Sequence, residues 1–495
     1  MGRRLFRSTW GKIPGSLLLL LAIGMGLQGC AGQDHTFTME KDPLPTNLIV
    51  KQIEESPPGP AGVRTGPLTV DLAIEEALRA SPELEQIQQR IGAASEQVKQ
   101  AEASFYPRLV LSEDFNVTDN PVYALMDIIN QRRFTPTINF NDPGQQQNSA
   151  SRIQAEWVLF QGGSRWYDRK AALGQHSSIE AELQAGRNRL VAKVSETYYR
   201  WLNGLCFIGV AERALDAAKT DERLGEARVH AEMALPSEML RLKVRTAEAR
   251  DHLVAARTGA RKLQAGLERL LTRSITPEEI PDPALVVSSP SISEKDPEDT
   301  NSLVKKALNN RPEMAAVRSL IQSAGERVKS ARGGLLPKVA ASAWSQWDSE
   351  DLNKSAESWM VGIQATWPIF EGGATSSRIR EARNHLKEIE ARGKEVALDI
   401  ALEVNQATLA VQEAAEKMKV AEERKQWAEK ALEEVRNLYR NQVVAVDSLL
   451  QAEVAWSQAE VSYTAAIFEV KISQALLKQS LGDFAEGILT EARDE

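Results

Sequence analysis

Two tetrapeptides, Phe160-Gln161-Gly162-Gly163 and Phe370-Glu371-Gly372-Gly373, decide the fold of this chain. Each ends a short aromatic run of alternating polarity, Ile153 to Phe160 in one case and Trp359 to Phe370 in the other. Each is followed by about sixty residues with the Ala, Leu, Glu, Lys and Arg content of a helix. Paired glycines tolerate positive φ and the close approach of other backbone, so each motif predicts a strand that turns abruptly into a long helix.

The context of the two motifs is also repeated. Ala77 to Pro107 and Ala307 to Pro337 align without a gap and share eleven of thirty-one residues, where about two or three are expected by chance. From the glycine pairs onward the two halves align again, and the first half has the longer insertion between the proline and the glycines. The chain is therefore predicted to be a tandem duplication, in which each unit contains a helix, two strands, a long helix and a return helix.

The strands are predicted as two β-hairpins, over residues 107–160 and 337–370. Their length of about ten residues and their alternation of apolar and polar side chains are typical of transmembrane β-strands. Five tryptophans fall in these regions, as interfacial aromatic girdles would explain: Trp157, Trp344, Trp347, Trp359 and Trp367. Alternation is equally typical of a sheet packed on a soluble core, but the chain has no further strands to build a sandwich around these hairpins.

The long helices are predicted from Ser164 to about Val229 and from Ala374 to about Leu438, a length of roughly 95 Å each at the α-helical rise. Each is followed by a turn and a return helix, ending at Leu271 and Leu481. Apolar residues recur at spacings of three, four and seven, which is typical of helices packed side by side.

The return helices are expected to begin at Ser237 and Asp447, which occupy equivalent positions and have the side chains of N-caps. Asn441 precedes the second turn and tolerates the left-handed backbone conformation, whereas its counterpart Ala231 adopts it less easily.

Residues 1–29 have the features of a signal peptide, with a basic start, an apolar segment from Leu17 to Leu27 and an end at Leu27-Gln28-Gly29-Cys30. The apolar segment is shorter than the roughly 20 residues of a membrane span. Leu27-Gln28-Gly29-Cys30 resembles a bacterial lipobox, which implies cleavage before Cys30 and attachment of lipid to it. The alternative is an ordinary signal peptide with a chance cysteine. Ala31 replaces the aspartate that, by resemblance, would favour retention in the inner membrane.

The remaining boundaries follow from composition and from the repeat. A Pro- and Gly-rich tether covers 30–67, the first repeat 68–273, a Pro- and acid-rich connector 274–300, the second repeat 301–483 and a tail 484–495. The leader carries four basic and no acidic residues, so its removal changes the formal charge from -8 to -12. A chain this acidic is a poor partner for nucleic acid. Cys206 lies in an apolar stretch and is expected to be a packing residue.

The sequence argues against an enzyme. It contains five histidines, none with the spacing of a metal site, and no nucleophile-elbow, phosphate-loop or paired-cysteine motif. The glycine pairs lack the Lys and Ser or Thr that complete a phosphate loop. No cofactor and no metal are predicted.

Four transmembrane strands cannot stand alone, because open sheet edges are not tolerated in lipid. The barrel must therefore close by association. Two chains would give eight strands, with an interior filled by side chains, and three would give twelve strands that could enclose a lumen. The long helices that continue from the strands would extend such a barrel as a helical tube.

With its duplication, its two Phe-x-Gly-Gly motifs and its helix-turn-helix tips, the chain from about Thr69 to Leu481 resembles the TolC-type outer-membrane efflux proteins, and Cys30 resembles their lipoprotein branch. The resemblance implies a homotrimer: a 12-stranded transmembrane β-barrel, four strands per chain, continued by an α-helical coiled-coil barrel across the periplasm. It also implies that the tip docks onto a periplasmic adaptor coupled to an inner-membrane pump of the resistance-nodulation-division or ABC type. The implied docking residues are Ala231, Ser237, Asn441 and Gln442.

Val446-Asp447-Ser448-Leu449 is similar to the family's Val-Asp-x-Leu at the second return helix, where an acidic ring narrows the closed tip. Asp447 is therefore a candidate gate residue. Three converging carboxylates would raise one another's pKa and attract cations. The alternative, Asp447 as only an N-cap, remains open. Leu450 and the absence of a tip glycine at Ala231 and Asn441 depart from the family pattern.

The predicted function is the outer-membrane exit duct of a tripartite efflux or type I secretion system, lipid-anchored and extending into the periplasm. A lipid-anchored periplasmic coiled-coil scaffold without channel activity is the alternative. It accounts for the lipobox and the helices but not for the amphipathic hairpins or the duplication. The sequence does not identify the cargo.

Overall fold

The computed structural model describes residues 66–282, 299–351 and 354–483. The predicted signal peptide, Cys30, all of the tether up to residue 65, the centre of the connector and the tail 484–495 lie outside the described residues.

The first half begins with a helix pair in which the Ser81 hydroxyl caps the second helix by accepting from the Leu84 amide, and Pro82 occupies its first position. In chain order the elements of this half are α1 (Val70–Ala80), α2 (Pro82–Ala103), β1 (Arg108–Thr118), α3 (Pro121–Asn130), β2 (Gln146–Gln161), α4 (Ser164–His230) and α5 (Pro236–Leu271). A 3₁₀ turn, Pro277–Glu279, follows.

The second half repeats this order without a counterpart of α3. Its elements are α6 (Thr300–Asn310), α7 (Pro312–Gly333), β3 (Lys338–Ser349), β4 (Ser355–Thr366), α8 (Ala374–Arg440) and α9 (Val446–Leu481). Both long helices have 67 residues and both return helices have 36, so the structure confirms the tandem repeat.

The four strands form one antiparallel sheet in the order β1-β2-β3-β4. The register brings most of the apolar positions of the four strands to one face, where Leu109, Ala155, Ala343 and Val361 lie in one row. The opposite face is mostly polar, with Ser112, Arg152, Gln346 and Ser358 in one row, although Val110, Trp344 and Met360 lie on it in another. This separation of two faces is the pattern of a barrel wall with an outer apolar side and a polar lumen.

The helices pack lengthwise, α4 against α5, α7 and α2, and α8 against α9 and α7. The largest buried cluster lies where α4 meets α1, α2, α5 and α9, around the fully buried Trp201, Leu267 and Phe468. Cys206 is buried in the same cluster, and this burial raises the pKa of its thiol to about 11. Of the helices within the described ranges, none has both the length and the apolarity to cross a bilayer.

Three details differ from the expectations. β2 begins at Gln146, well before the aromatic run that starts at Ile153. The polar residues before Ile153 also belong to the strand, because they pair with β1 and β3. β4 ends at Thr366 and not at Phe370. The insertion of the first half contains a helix, α3, capped by Asn120 and begun by Pro121, which the sequence analysis missed.

Candidate functional site

The two strand-helix junctions have the geometry that their glycines predict. Gly162 and Gly163 have φ of 59° and 78°, and Gly372 and Gly373 have φ of 57° and 88°. Gly163 and Gly373 are the N-cap residues of α4 and α8. The left-handed conformation at two successive positions turns the chain from the sheet into the helix axis, and only glycine adopts it without strain.

A tryptophan fastens each junction to the helix that precedes its hairpin. The Trp157 indole donates to the Phe105 carbonyl oxygen at 2.8 Å, and the Trp367 indole donates to that of Leu335 at 3.1 Å. Trp157 and Trp367 are equivalent positions of the repeat, as are Phe105 and Leu335. The same hydrogen bond thus holds both halves at the boundary between sheet and helices.

At the opposite end of the long helices, both turns are Schellman motifs. The Glu232 amide donates to the Val229 carbonyl and the Met233 amide to that of Arg228, and the second turn repeats this pattern through Gln442 and Val443. Glu232 and Gln442 carry the positive φ, 58° and 64°. The expectation for Asn441 is therefore wrong: Asn441 and Ala231 are C-caps with negative φ, and the left-handed residue follows one position later.

The return helices begin one residue earlier than expected, and their N-caps are Leu235 and Ala445. The N-cap prediction for Ser237 and Asp447 is therefore wrong. Both lie in the first helical turn, where a carboxylate is still favourable because of the helix dipole. The Asp447 carboxylate accepts hydrogen bonds from the Arg241 guanidinium of α5, and both side chains are about half exposed. This ion pair joins the two return helices near the tip.

A second arginine joins the two long helices. Arg228 Nη2 donates to the carbonyl oxygens of Tyr439 and Arg440 at 3.0 and 2.9 Å, which satisfies the last turn of α8. Its guanidinium also lies over the Tyr439 ring, 4.5 Å from the centroid. Burial raises the pKa of Tyr439, and the nearby Arg228 charge partly offsets that effect. The end of α8 is therefore held by a side chain from the first half.

The predicted docking residues Ala231, Ser237, Asn441 and Gln442 are all exposed at the two turns. The structure adds three exposed apolar side chains that the sequence analysis missed, Met233, Leu235 and Val443. Their signal is a short apolar run within each turn. A groove between α5 and α9 extends this surface and is lined by Leu240, Val244, Val454 and the Arg241-Asp447 pair.

Below the tip, four charged residues meet, one from each helix: the buried Asp221 of α4, Arg245 of α5 and Glu453 of α9, and the partly exposed Arg436 of α8. Arg436 Nη2 lies 3.2 Å from Glu453 Oε1, and Arg245 Nε lies 3.9 Å from Glu453 Oε2. Burial and the hydrogen bond to Asp221 raise the pKa of Glu453 to about 8, against the opposing effect of Arg436. No signal in the sequence indicates this cluster, because spaced charges on a helix usually face solvent.

In the part of the chain that the structure describes, no group of His, Cys, Asp and Glu side chains could hold a metal ion.

This architecture is shared with known proteins. A family model described as outer membrane efflux protein matches residues 73–273 and 303–483, one segment in each half. Protein CyaE of Bordetella pertussis is 23% identical over 337 residues, which cover 67% of this chain and 66% of CyaE. The chain thus aligns with slightly less than two thirds of that relative's length.

Two solved structures share the fold. A membrane protein from Pseudomonas aeruginosa has a TM-score of 0.72 at 19% identity, covering 83% of this chain and 93% of its own. The Campylobacter jejuni CmeC outer membrane channel has a TM-score of 0.72 at 15% identity, covering 86% of this chain and 88% of its own. Since the family model covers well over half of the sequence, the chain belongs to the outer membrane efflux protein family, whose members are outer-membrane channels and not enzymes.

Proposed function

We propose that three copies of this chain form one duct, in which twelve strands make a barrel in the outer membrane and the helices continue it across the periplasm. An inner-membrane pump delivers substrates through a periplasmic adaptor to the helical tips. The substrates then leave through the barrel.

The observation that carries this proposal is the length of β4. β2 keeps its strand conformation as far as Gln161, because Phe160 and Gln161 pair with Val339 and Lys338 of β3. Phe370 and Glu371 hold the equivalent positions of the second half, yet β4 ends at Thr366. Within the described residues, the edge of β4 that would support this segment has no partner strand, and neither does the outer edge of β1.

The repeat indicates which strand is missing. β2, the second strand of the first half, pairs with β3, the first strand of the second half. The equivalent pair is β4 with β1. These two strands lie at opposite edges of the four-stranded sheet, so they cannot pair within one chain but can pair between copies. Because lipid does not tolerate open edges, β4 of one copy pairs with β1 of the next until the ring closes. Closure with twelve strands leaves a lumen, whereas eight strands would be filled by side chains.

The helical tips are the surface that meets the adaptor. Met233, Leu235 and Val443 expose apolar area beside Ala231, Ser237, Asn441 and Gln442, at the end of the chain's longest helices. Exposed apolar groups surrounded by polar ones are typical of protein-docking sites. An adaptor of the resistance-nodulation-division or ABC type of system is the partner that this position suits.

Asp447 is proposed as the gate residue. Its carboxylate is near the tip, is about half exposed and is bound by Arg241 of the neighbouring return helix. In the trimer three such pairs surround the axis, and movement of α9 relative to α5 would separate each carboxylate from its arginine. The free carboxylates would then repel one another and favour cations at the entrance.

Cys30 is proposed as the lipid anchor of the mature chain in the outer membrane. The support is the Leu-x-Gly-Cys sequence at the end of an apolar leader. Mass spectrometry of the intact mature protein would show the added acyl mass on a chain that begins at Cys30. A chain of unmodified mass would overturn the anchor and leave the channel.

The channel is tested by planar-bilayer conductance of detergent-extracted protein, with its mass measured on the same sample by sedimentation. A trimeric mass with stable conductance steps is the expected result. A monomeric mass without steps would overturn the channel and favour the scaffold.

A further inference from the structure

Helix α3 covers the polar face of the sheet at its outer rim. Five residues at the ends of β2 and β3 are buried, and four of them lie on that face: Asn148, Ala150, Gln346 and Asp348; the fifth, Ser349, lies on the other face. The buried residues of α3 are Ala124, Asp127 and Ile128, and α3 packs against β2. The polar face is the lumenal one in the proposed barrel, so α3 lies on the lumenal side.

The same region marks the outer end of the barrel. The helices adjoin the sheet at Pro107 and Gly162. The ends of β1 and β2 near Thr118 and Gln146 are therefore the ends that lie farthest from the helices. There the apolar face also becomes polar, because Ser149 and Ser151 donate hydrogen bonds to the Glu113 carboxylate on it. The apolar band has therefore ended where α3 lies, and α3 is at the mouth that faces the outside.

Several polar contacts hold α3 in this position. At its C-terminal end, Gln131 Nε2 donates to the Gln147 carbonyl at 2.8 Å and to Asn148 Oδ1 at 3.0 Å. Arg132 Nη2 donates to the Glu357 carbonyl of β4 at 2.7 Å. Arg133 pairs with Glu350 at 2.8 Å. The helix is thus fastened to β2, to β4 and to the segment that follows β3.

The other face of α3 is apolar and exposed. Val122, Met126 and Ile129, at spacings of four and three residues, share this face with Tyr123, and each is about half exposed or more. These four adjacent apolar side chains differ from the rest of the lumenal face, which is mostly polar although it includes Val110, Trp344 and Met360. Such a face requires an apolar partner to be shielded from water.

The dimensions of the barrel indicate that partner. Twelve strands about 4.8 Å apart and tilted by about 40° give a perimeter of about 75 Å and a backbone diameter of about 24 Å. Three helices of about 10–12 Å diameter fill a circle of about 22–26 Å. Three copies of α3 at one mouth therefore have no room to avoid one another.

We propose that the α3 helices of the three copies meet at the barrel axis through Val122, Tyr123, Met126 and Ile129, and that this contact closes the outer mouth with an apolar plug. The plug is separate from the gate at the helical tips. This inference rests on the proposed trimeric barrel.

The test is cross-linking by a short bismaleimide of purified trimer that carries Met126→Cys, with Ile129→Cys as a second variant. Three thiols meet on the axis and each reagent joins two, so about two thirds of the chains should run as dimers on a denaturing gel. The matched control is Leu111→Cys, exposed on the opposite face of the sheet, which should remain monomeric on the gel. The native Cys206 is buried, and its raised pKa keeps it unreactive at neutral pH.

The mass of the native assembly is measured on the same samples by light scattering. A trimer whose Met126→Cys and Ile129→Cys chains do not cross-link would overturn the plug and leave the channel. A monomer would overturn both the plug and the proposed function.

Discussion

The two strand-helix junctions have the same sequence motif but different surroundings. At the first, a Cβ atom on Gly162 would lie 2.1 Å from the carbonyl oxygen of Gly333, at the end of α7. At the second, no heavy atom of the described residues lies within 4 Å of the Cβ position of Gly372. Phe160 is 43% exposed, whereas Phe370 is 90% exposed. Since the backbone and the tryptophan bond are the same in both, the difference lies in the neighbours.

The repeat explains what is missing at the second junction. Gly162 of the first half contacts the end of α7, which belongs to the second half. In the proposed trimer, the equivalent contact of Gly372 would be with the end of α2, near Ala103, of another copy. One chain therefore contains the complete first junction and only part of the second. In the proposed trimer the duplicated unit, and not the chain, would therefore be the repeating element.

The largest effect is expected for Gly162→Ala. The added methyl group would meet the Gly333 backbone and force a non-glycine residue into positive φ, at a cost of more than about 3 kcal/mol. We expect no folded protein in detergent, measured by circular dichroism and by the yield of assembled material. Normal yield of the variant would show that the close approach at the first junction is not required.

Gly372→Ala should have a smaller and different effect. Within one chain the methyl group meets open space, so the cost is the positive φ alone, about 1–2 kcal/mol. If the end of α2 from another copy covers this position, the variant should fold but dissociate. Sedimentation in detergent should then show a larger monomer fraction than for wild type. An unchanged trimer fraction would indicate that no copy approaches Gly372.

The stability of the folded chain should depend on pH through Glu453. Its pKa is raised from 4.5 to about 8 in the folded chain, so between these pH values the folded state holds a proton that the unfolded state has released. Stability is therefore complete below about pH 4.5 and falls as pH rises towards 8, by at most about 1.4 kcal/mol per pH unit. The charges that face Glu453 are Asp221, Arg245 and Arg436.

Thermal unfolding at pH 6 and pH 8.5, compared between wild type and Glu453→Gln, measures this dependence. The variant stays neutral, so its midpoint should change less between the two pH values than that of wild type. Equal changes would assign the pH dependence to other groups.

The smallest effect on stability is expected for Asp447→Ala. Its ion pair with Arg241 is exposed and contributes at most about 1 kcal/mol. Conductance should nevertheless change, with larger steps or a weaker preference for cations in a planar bilayer. Ser237→Ala is the matched control, because it removes a neutral side chain at the equivalent first-half position. If the two variants have indistinguishable conductance, Asp447 is not a gate residue.

Much of the fold could be predicted from the sequence, because glycine pairs, strand alternation and helix length are local properties that the duplication shows twice. The end of β4 could not be predicted in this way, since in the proposed trimer it depends on a strand of another copy. The cluster around Glu453 could not be predicted from the sequence either, because its burial results from four helices packing together. α3 did have a local signal, Asn120 followed by Pro121 and an apolar run, within a segment that appeared only as an insertion.

β4 of one copy is proposed to pair with β1 of the next, and an engineered disulfide tests this pairing directly. Gln154 lies opposite Trp344 in the β2-β3 pair, and the repeat transfers this register to Gln364 and Asp114. Asp114→Cys combined with Gln364→Cys should give covalent trimers on a non-reducing denaturing gel, since directly opposite residues are within disulfide reach. Asp114→Cys with Ala365→Cys, whose side chains lie on opposite faces, is the control. Monomers from both double variants would contradict the pairing of β4 with β1.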